Sequence, residues 1–77
     1  MPSQTPDQSR TVTVRGVPIE LCQFLKFGGL ASTGGEGKRA VSEGSVQVNG
    51  VVENRKRRKL LVGDRVTLGG NTIVVGI

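Results

Sequence analysis

The chain has 77 residues, 35% of them apolar and 3% aromatic, and its 11 Lys and Arg against 6 Asp and Glu leave a formal net charge of +5. That length fills one small core and supplies little secondary structure to wall a pocket, so an enzyme is disfavoured and no small-molecule substrate is expected. One cysteine and no histidine exclude an internal disulfide, a Cys/His zinc cluster and any His-based acid or base, so neither metal nor cofactor is expected.

Residues 1–10 form a polar tail containing Pro2 and Pro6, expected to be disordered, and residues 11–77 are expected to form a single domain. Apolar stretches are only a few residues long, which excludes a transmembrane helix; a membrane partner is not expected, and the cytoplasm fits the cysteine usage. Thr11-Val12-Thr13-Val14-Arg15 alternates β-branched apolar and polar residues and stops at Gly16, the pattern of a short strand.

Pro18 suits the first turn of a helix. Leu21, Phe24, Leu25 and Gly28 then recur at helical spacing and form one apolar stripe. Cys22 flanks that stripe as a small buried thiol, and Phe27 at its margin is expected in the core as well. Thr33-Gly34-Gly35-Glu36 has the spacing of a capping box. A second helix follows, with Gly37, Ala40, Val41 and Gly44 along a stripe of small side chains. Lys38, Arg39 and Ser42 lie on its opposite face, and Gly44 is its stop.

Val46 and Val48 lead into Asn49-Gly50, the residue pair best suited to a type I′ hairpin. Arg55-Lys56-Arg57-Arg58-Lys59 comes next, then Leu60-Leu61-Val62, a turn at Gly63-Asp64 and a strand over 65–68. A turn at Gly69-Gly70 precedes a last strand with alternating Ile73, Val75 and Ile77. The order gives an α+β fold, two short helices packed on one face of a small antiparallel sheet.

Charge is unevenly placed along this frame. Residues 1–37 carry three bases and three acids; residues 38–77 carry eight bases and three acids, so the whole excess lies in the second half. Five consecutive cations cannot all hide against a core, because a strand would send them to both faces. They face solvent or an anionic partner, and between two strands of a compact domain they make a footprint for phosphates. Lys38 and Arg39 stand near the Gly34-Gly35 helix start, whose amides can receive a phosphate.

Other motifs dissolve on inspection. Gly35-x-Gly37-x-x-Ala40 matches a dinucleotide fingerprint, but no strand precedes it and no βαβ unit fits. Glu20, Glu43, Glu53 and Asp64 show no paired-carboxylate spacing and are read as caps, helix ends or turn residues. Phe24 and Phe27 are the only aromatics; with both expected in the core, base stacking is disfavoured against recognition of backbone and shape.

From Ile19 to about Leu68 the chain resembles the small RNA-binding domain named after ribosomal small-subunit protein S-four, and more narrowly its free-standing bacterial subgroup. The resemblance is carried by Leu21-x-x-Phe24-Leu25-Lys26, Thr33-Gly34-Gly35-Glu36-x-Lys38, Gly44-x-Val46-x-Val48-Asn49-Gly50, and Glu53-x-Arg55-Lys56-x-Arg58-Lys59-Leu60 with Gly63-Asp64. It implies the αL RNA-binding motif, in which helix two, the loop before it and the basic strand form one RNA-facing surface. Candidate contacts are then Lys26, Thr33, Gly34, Gly35, Lys38, Arg55, Lys56, Arg57, Arg58 and Lys59, to which Arg39 is added from its place on the free face of helix two; the expected partner is a structured RNA, ribosomal or transfer RNA, and a monomer is expected. The family's fused enzymes carry catalysis in another domain, so only binding transfers. Gly37 stands where the subgroup usually has Ala; a helix-interior glycine costs about 1 kcal/mol, which would soften helix two. The alternative function, from a different class, is a protein-interaction module docking an acidic partner through the same basic edge.

Overall fold

The computed structural model describes residues 9–77. The expected tail lies outside them as far as residue 8, but Arg10, assigned to that tail, opens the first strand. In chain order the elements are β1 (Arg10–Thr13), β2 (Ile19–Glu20), α1 (Leu21–Phe27), α2 (Gly34–Ser42), β3 (Val46–Val48), β4 (Val51–Val52), β5 (Lys59–Leu60), β6 (Arg65–Leu68) and β7 (Asn71–Gly76).

Two helices pack on a mostly antiparallel sheet, so the fold is α+β as expected. The five-stranded sheet runs β1-β7-β6-β3-β4. Its hairpins turn where glycine or asparagine takes a left-handed backbone: Asn49 and Gly50 have φ of 53° and 85°, and Gly69 and Gly70 have 61° and 83°. One ladder departs from the expected antiparallel pattern, because β1 runs parallel to β7 with Val12 opposite Val75. A parallel pair needs a long crossover, and everything from α1 to β6 supplies it.

Alternation along the strands sends Val12, Val46, Val48, Val66, Ile73 and Val75 to one face, where they meet Leu21, Phe24 and Leu25 of α1 and Val41 of α2 in a single core. Asn49 and Asp64 tie the far ends of the strands together. The Asn49 amide donates to Asp64 Oδ1 at 3.2 Å, and its carbonyl oxygen accepts from the Arg65 backbone at 3.0 Å. Asp64 Oδ2 accepts from the Leu61 amide at 2.8 Å, so the acid expected in a turn is built into one.

Pro18 does not enter the first helix. The chain forms β2 instead, which pairs antiparallel with β5, Ile19 opposite Leu60, as a separate two-stranded ladder. Glu20 occupies the N-cap position of α1 without a side-chain hydrogen bond. No side-chain cap is needed, since the amides of Leu21 and Cys22 donate to the carbonyls of Arg58 and Lys56 at 2.9 and 3.0 Å.

Helix α2 starts as expected, with Thr33 Oγ1 accepting from the Glu36 amide at 3.0 Å. Glu36 reaches back to the amide of Ser32 and not to that of Thr33, a one-residue displacement of the capping box. At its end Gly44, with φ of 75°, donates to Val41 while Ser45 donates to Ala40, each at 3.1 Å, which satisfies the last carbonyls.

Gly37 explains how closely the helices approach. A Cβ there would stand 3.1 Å from the Cys22 carbonyl oxygen and 3.7 Å from the Ala31 Cβ. Cys22 and Phe27 flank the apolar stripe of α1 on opposite sides, and α2 covers only the Cys22 side. Cys22 is therefore buried, as expected, whereas Phe27 is 58% exposed. The expectation of a buried Phe27 fails because no element among the described residues covers its flank.

Candidate nucleic-acid interface

The basic run is a turn rather than a strand. Only Lys59 belongs to a strand, β5, and the Arg58 amide closes the turn on the Arg55 carbonyl at 3.1 Å. Two anchors fix its place. Leu60, fully buried, pins the β5 end to β2, and the carbonyls of Lys56 and Arg58 are held by the first amides of α1.

A third anchor is one the sequence reading missed. Glu53 follows β4 and its amide extends the sheet by donating to the Val46 carbonyl at 3.0 Å. Its side chain turns inward, 9% exposed. Oε2 accepts from the Arg55 amide at 2.9 Å and from Arg55 Nε at 3.0 Å; Oε1 accepts from Arg55 Nη2 at 3.2 Å and Arg58 Nη1 at 2.8 Å. The hydrogen bonds from the Arg55 side chain, then that from Arg58, then the Arg55 amide, hold the carboxyl well below the ordinary carboxylate range against the opposing effect of burial. The same partnership raises the Arg55 guanidinium pKa. Glu53 is the one acid between residues 44 and 63, and that isolation beside five cations was the available signal for its role.

The five cations thus divide into two kinds. Arg55 and Arg58 are tethered to Glu53, while Lys56, Arg57 and Lys59 have no acidic partner among the described residues. Arg55, Arg57, Arg58 and Lys59 line an open basin of about 590 Å³. All four lining residues are cations, the kind of concentration of charge that attracts an anionic partner.

The remaining candidates stand at different removes. Lys26 is exposed on the Cys22 side of α1, one turn beyond the residue bonded to Lys56. Gly37 packs on Cys22, and Lys38, the next residue of α2, is exposed. Arg39 is drawn instead into an exposed pair with Glu43, Nε to Oε2 at 3.0 Å. Thr33, Gly34 and Gly35 form the start of α2, and nothing lies within 4 Å of a Cβ built on Gly34. No group of three or more His, Cys, Asp or Glu residues able to hold a metal occurs among the described residues. No helix of the described residues is long and apolar enough to cross a membrane.

Comparison with known proteins is consistent with this arrangement. A family model described as "S4 domain" matches residues 12–76. YbcJ of Escherichia coli (strain K12) is 42% identical over 57 residues, 74% of this chain and 81% of that protein. Its solution structure, reported to reveal an αL motif involved in RNA binding, superposes with a TM-score of 0.65 and 31% identity, covering 100% of this chain and 96% of that one. A Bacillus subtilis (strain 168) protein named "Probable ribosome maturation protein RlbA" is 46% identical over 52 residues, 68% of this chain and 73% of that protein. The tyrosine–tRNA ligase of Burkholderia thailandensis is 34% identical over 65 residues, which is 84% of this chain but 16% of the ligase.

Proposed function

This chain belongs to the S4 domain family, and from that premise we propose that it binds structured RNA, ribosomal or transfer, without catalysing a reaction on it. The observation that carries the reading is the basin of Arg55, Arg57, Arg58 and Lys59, free of acids and fastened to the start of α1. Cations gathered on one edge of a small domain neutralise phosphates and release counterions, a sequence-independent source of affinity.

In this reading Arg55 to Lys59 contact the RNA backbone, with Lys26, Lys38 and Arg39 on the adjoining helices and the Thr33-Gly34-Gly35 loop approaching the same strand. The solution structure of YbcJ is described in terms of RNA binding, and the name of the Bacillus relative refers to the ribosome. The match to the ligase covers so small a share of that enzyme that it supports a shared binding module and not a shared reaction. The protein acts as a cytoplasmic monomer, with residues 11–77 as the binding domain.

Crosslinking in cells followed by sequencing of the bound RNA tests this. Enrichment of ribosomal or transfer RNA over messenger RNA is expected. Protein recovered free of nucleic acid, with one acidic protein retained at high salt, would overturn it in favour of the protein-docking alternative.

A further inference from the structure

A surface selected for positive charge alone has no use for Glu53. Its carboxylate cancels one of the cations beside it and repels any phosphate that approaches. Yet it is nine-tenths buried beneath Arg55 and Arg58 and takes hydrogen bonds from both. Neither arginine is used up by this. A guanidinium carries more N–H donors than these bonds consume, and the Arg55 side chain remains 74% exposed.

The geometry fixes the two guanidinium groups relative to each other. Arg55 Nη2 and Arg58 Nη1 share Glu53 Oε1 at 3.2 and 2.8 Å, so the two nitrogens lie within about 6 Å of each other. Glu53 Oε1 lies between them, and a phosphate group beside the pair can accept from the N–H groups that Glu53 leaves free, each arginine contributing charge-assisted bonds. Arg57 and Lys59 line the same basin without such a tether.

We infer that Glu53 is a positioning residue which holds Arg55 and Arg58 as a clamp for a single phosphodiester group of the bound RNA. This rests on the RNA-binding reading above and adds a division of labour within it. The tethered pair lose little freedom on binding because their side chains are ordered beforehand. The untethered cations supply charge without fixed geometry. Glu53 therefore contributes to RNA affinity although its own charge opposes it.

That opposition of sign gives the test. Binding of the full chain is measured against two RNA probes, bulk bacterial transfer RNA and fragments of bacterial ribosomal RNA, and against heparin, a polyanion without phosphodiesters. Glu53→Gln raises the net charge by one, and Glu53→Asp keeps the charge but shortens the reach. Both variants are expected to bind RNA about tenfold more weakly, the worth of one lost charge-assisted interaction. Heparin affinity is expected to rise for Glu53→Gln and to stay unchanged for Glu53→Asp. RNA binding that is unchanged or tighter in Glu53→Gln overturns the inference while leaving the RNA reading standing. Failure of the unaltered chain to bind either RNA probe overturns both. If the variants do not fold, the Arg55 Nε–H resonance of the unaltered chain decides the matter. A resolved, slowly exchanging signal in the free protein that shifts on RNA addition supports the clamp, and a signal averaged with the other arginines overturns it.

Discussion

The amide of Cys22 donates to the carbonyl of Lys56 at 3.0 Å, so the start of the first helix and the basic turn form one structural unit. Helix-start amides are ordinarily left without partners inside the helix. Here the charged turn satisfies them with its backbone, so no side chain of the turn is spent on capping α1.

Amide exchange checks this coupling. The Leu21 and Cys22 amides are expected to exchange more slowly than those of Gly34 and Gly35, which open α2 in its exposed loop. Equal rates at the two helix starts would show that the basic turn is not held against α1.

Acid stability tests the Glu53 tether. Its carboxyl is depressed far below the ordinary glutamate value by its arginine partners, and a depressed native pKa contributes stability that is complete above the unfolded value and lost as pH falls towards the native one. Thermal melts from about pH 6 to about pH 3 are expected to show stability declining once pH drops below that unfolded value. Glu53→Gln is expected to flatten the decline. An equal decline in the variant would assign it to other carboxylates.

Much of the frame was legible beforehand because it depends on local chemistry. The Thr33 cap, the stop at Gly44 and the turns at Asn49-Gly50 and Gly69-Gly70 each follow from what those residues do to their own backbone. What was not legible depends on partners distant in the chain. β2 and β5 have two residues each, too few to show a period, and no pattern at Arg10–Thr13 announces a parallel neighbour at the other end of the domain. Phe27 and Cys22 are similarly placed on α1, and only the position of α2 separates their fates. The basic run was found by charge alone, but its division into tethered and untethered cations needed the burial of Glu53, which a reading of that acid as a turn residue did not contain.

That division decides which substitutions are informative. Replacing Arg55 or Arg58 with Ala strips a partner from the Glu53 carboxylate and so carries a stability penalty of its own. Replacing Lys56, Arg57 and Lys59 with Ala removes charge without that penalty. The triple variant is expected to melt within a few degrees of the unaltered chain and to bind structured RNA more weakly, with each lost phosphate contact lowering the salt slope by roughly 1. Unchanged affinity would remove Lys56, Arg57 and Lys59 from the interface.

Phe27 separates backbone recognition from base stacking. It is exposed but lies on the flank of α1 away from α2, so Phe27→Ala is expected to change RNA affinity by less than about twofold. Stacking of a base on an aromatic is worth about 1–3 kcal/mol, and a loss of that size in a filter-binding assay would show that an unpaired base is read there.

The most direct test is the salt dependence of RNA binding by the unaltered chain. With about six phosphates neutralised, log affinity is expected to fall against log salt with a slope of roughly −4 to −5. An affinity that does not change with salt would contradict phosphate contact by Arg55 to Lys59.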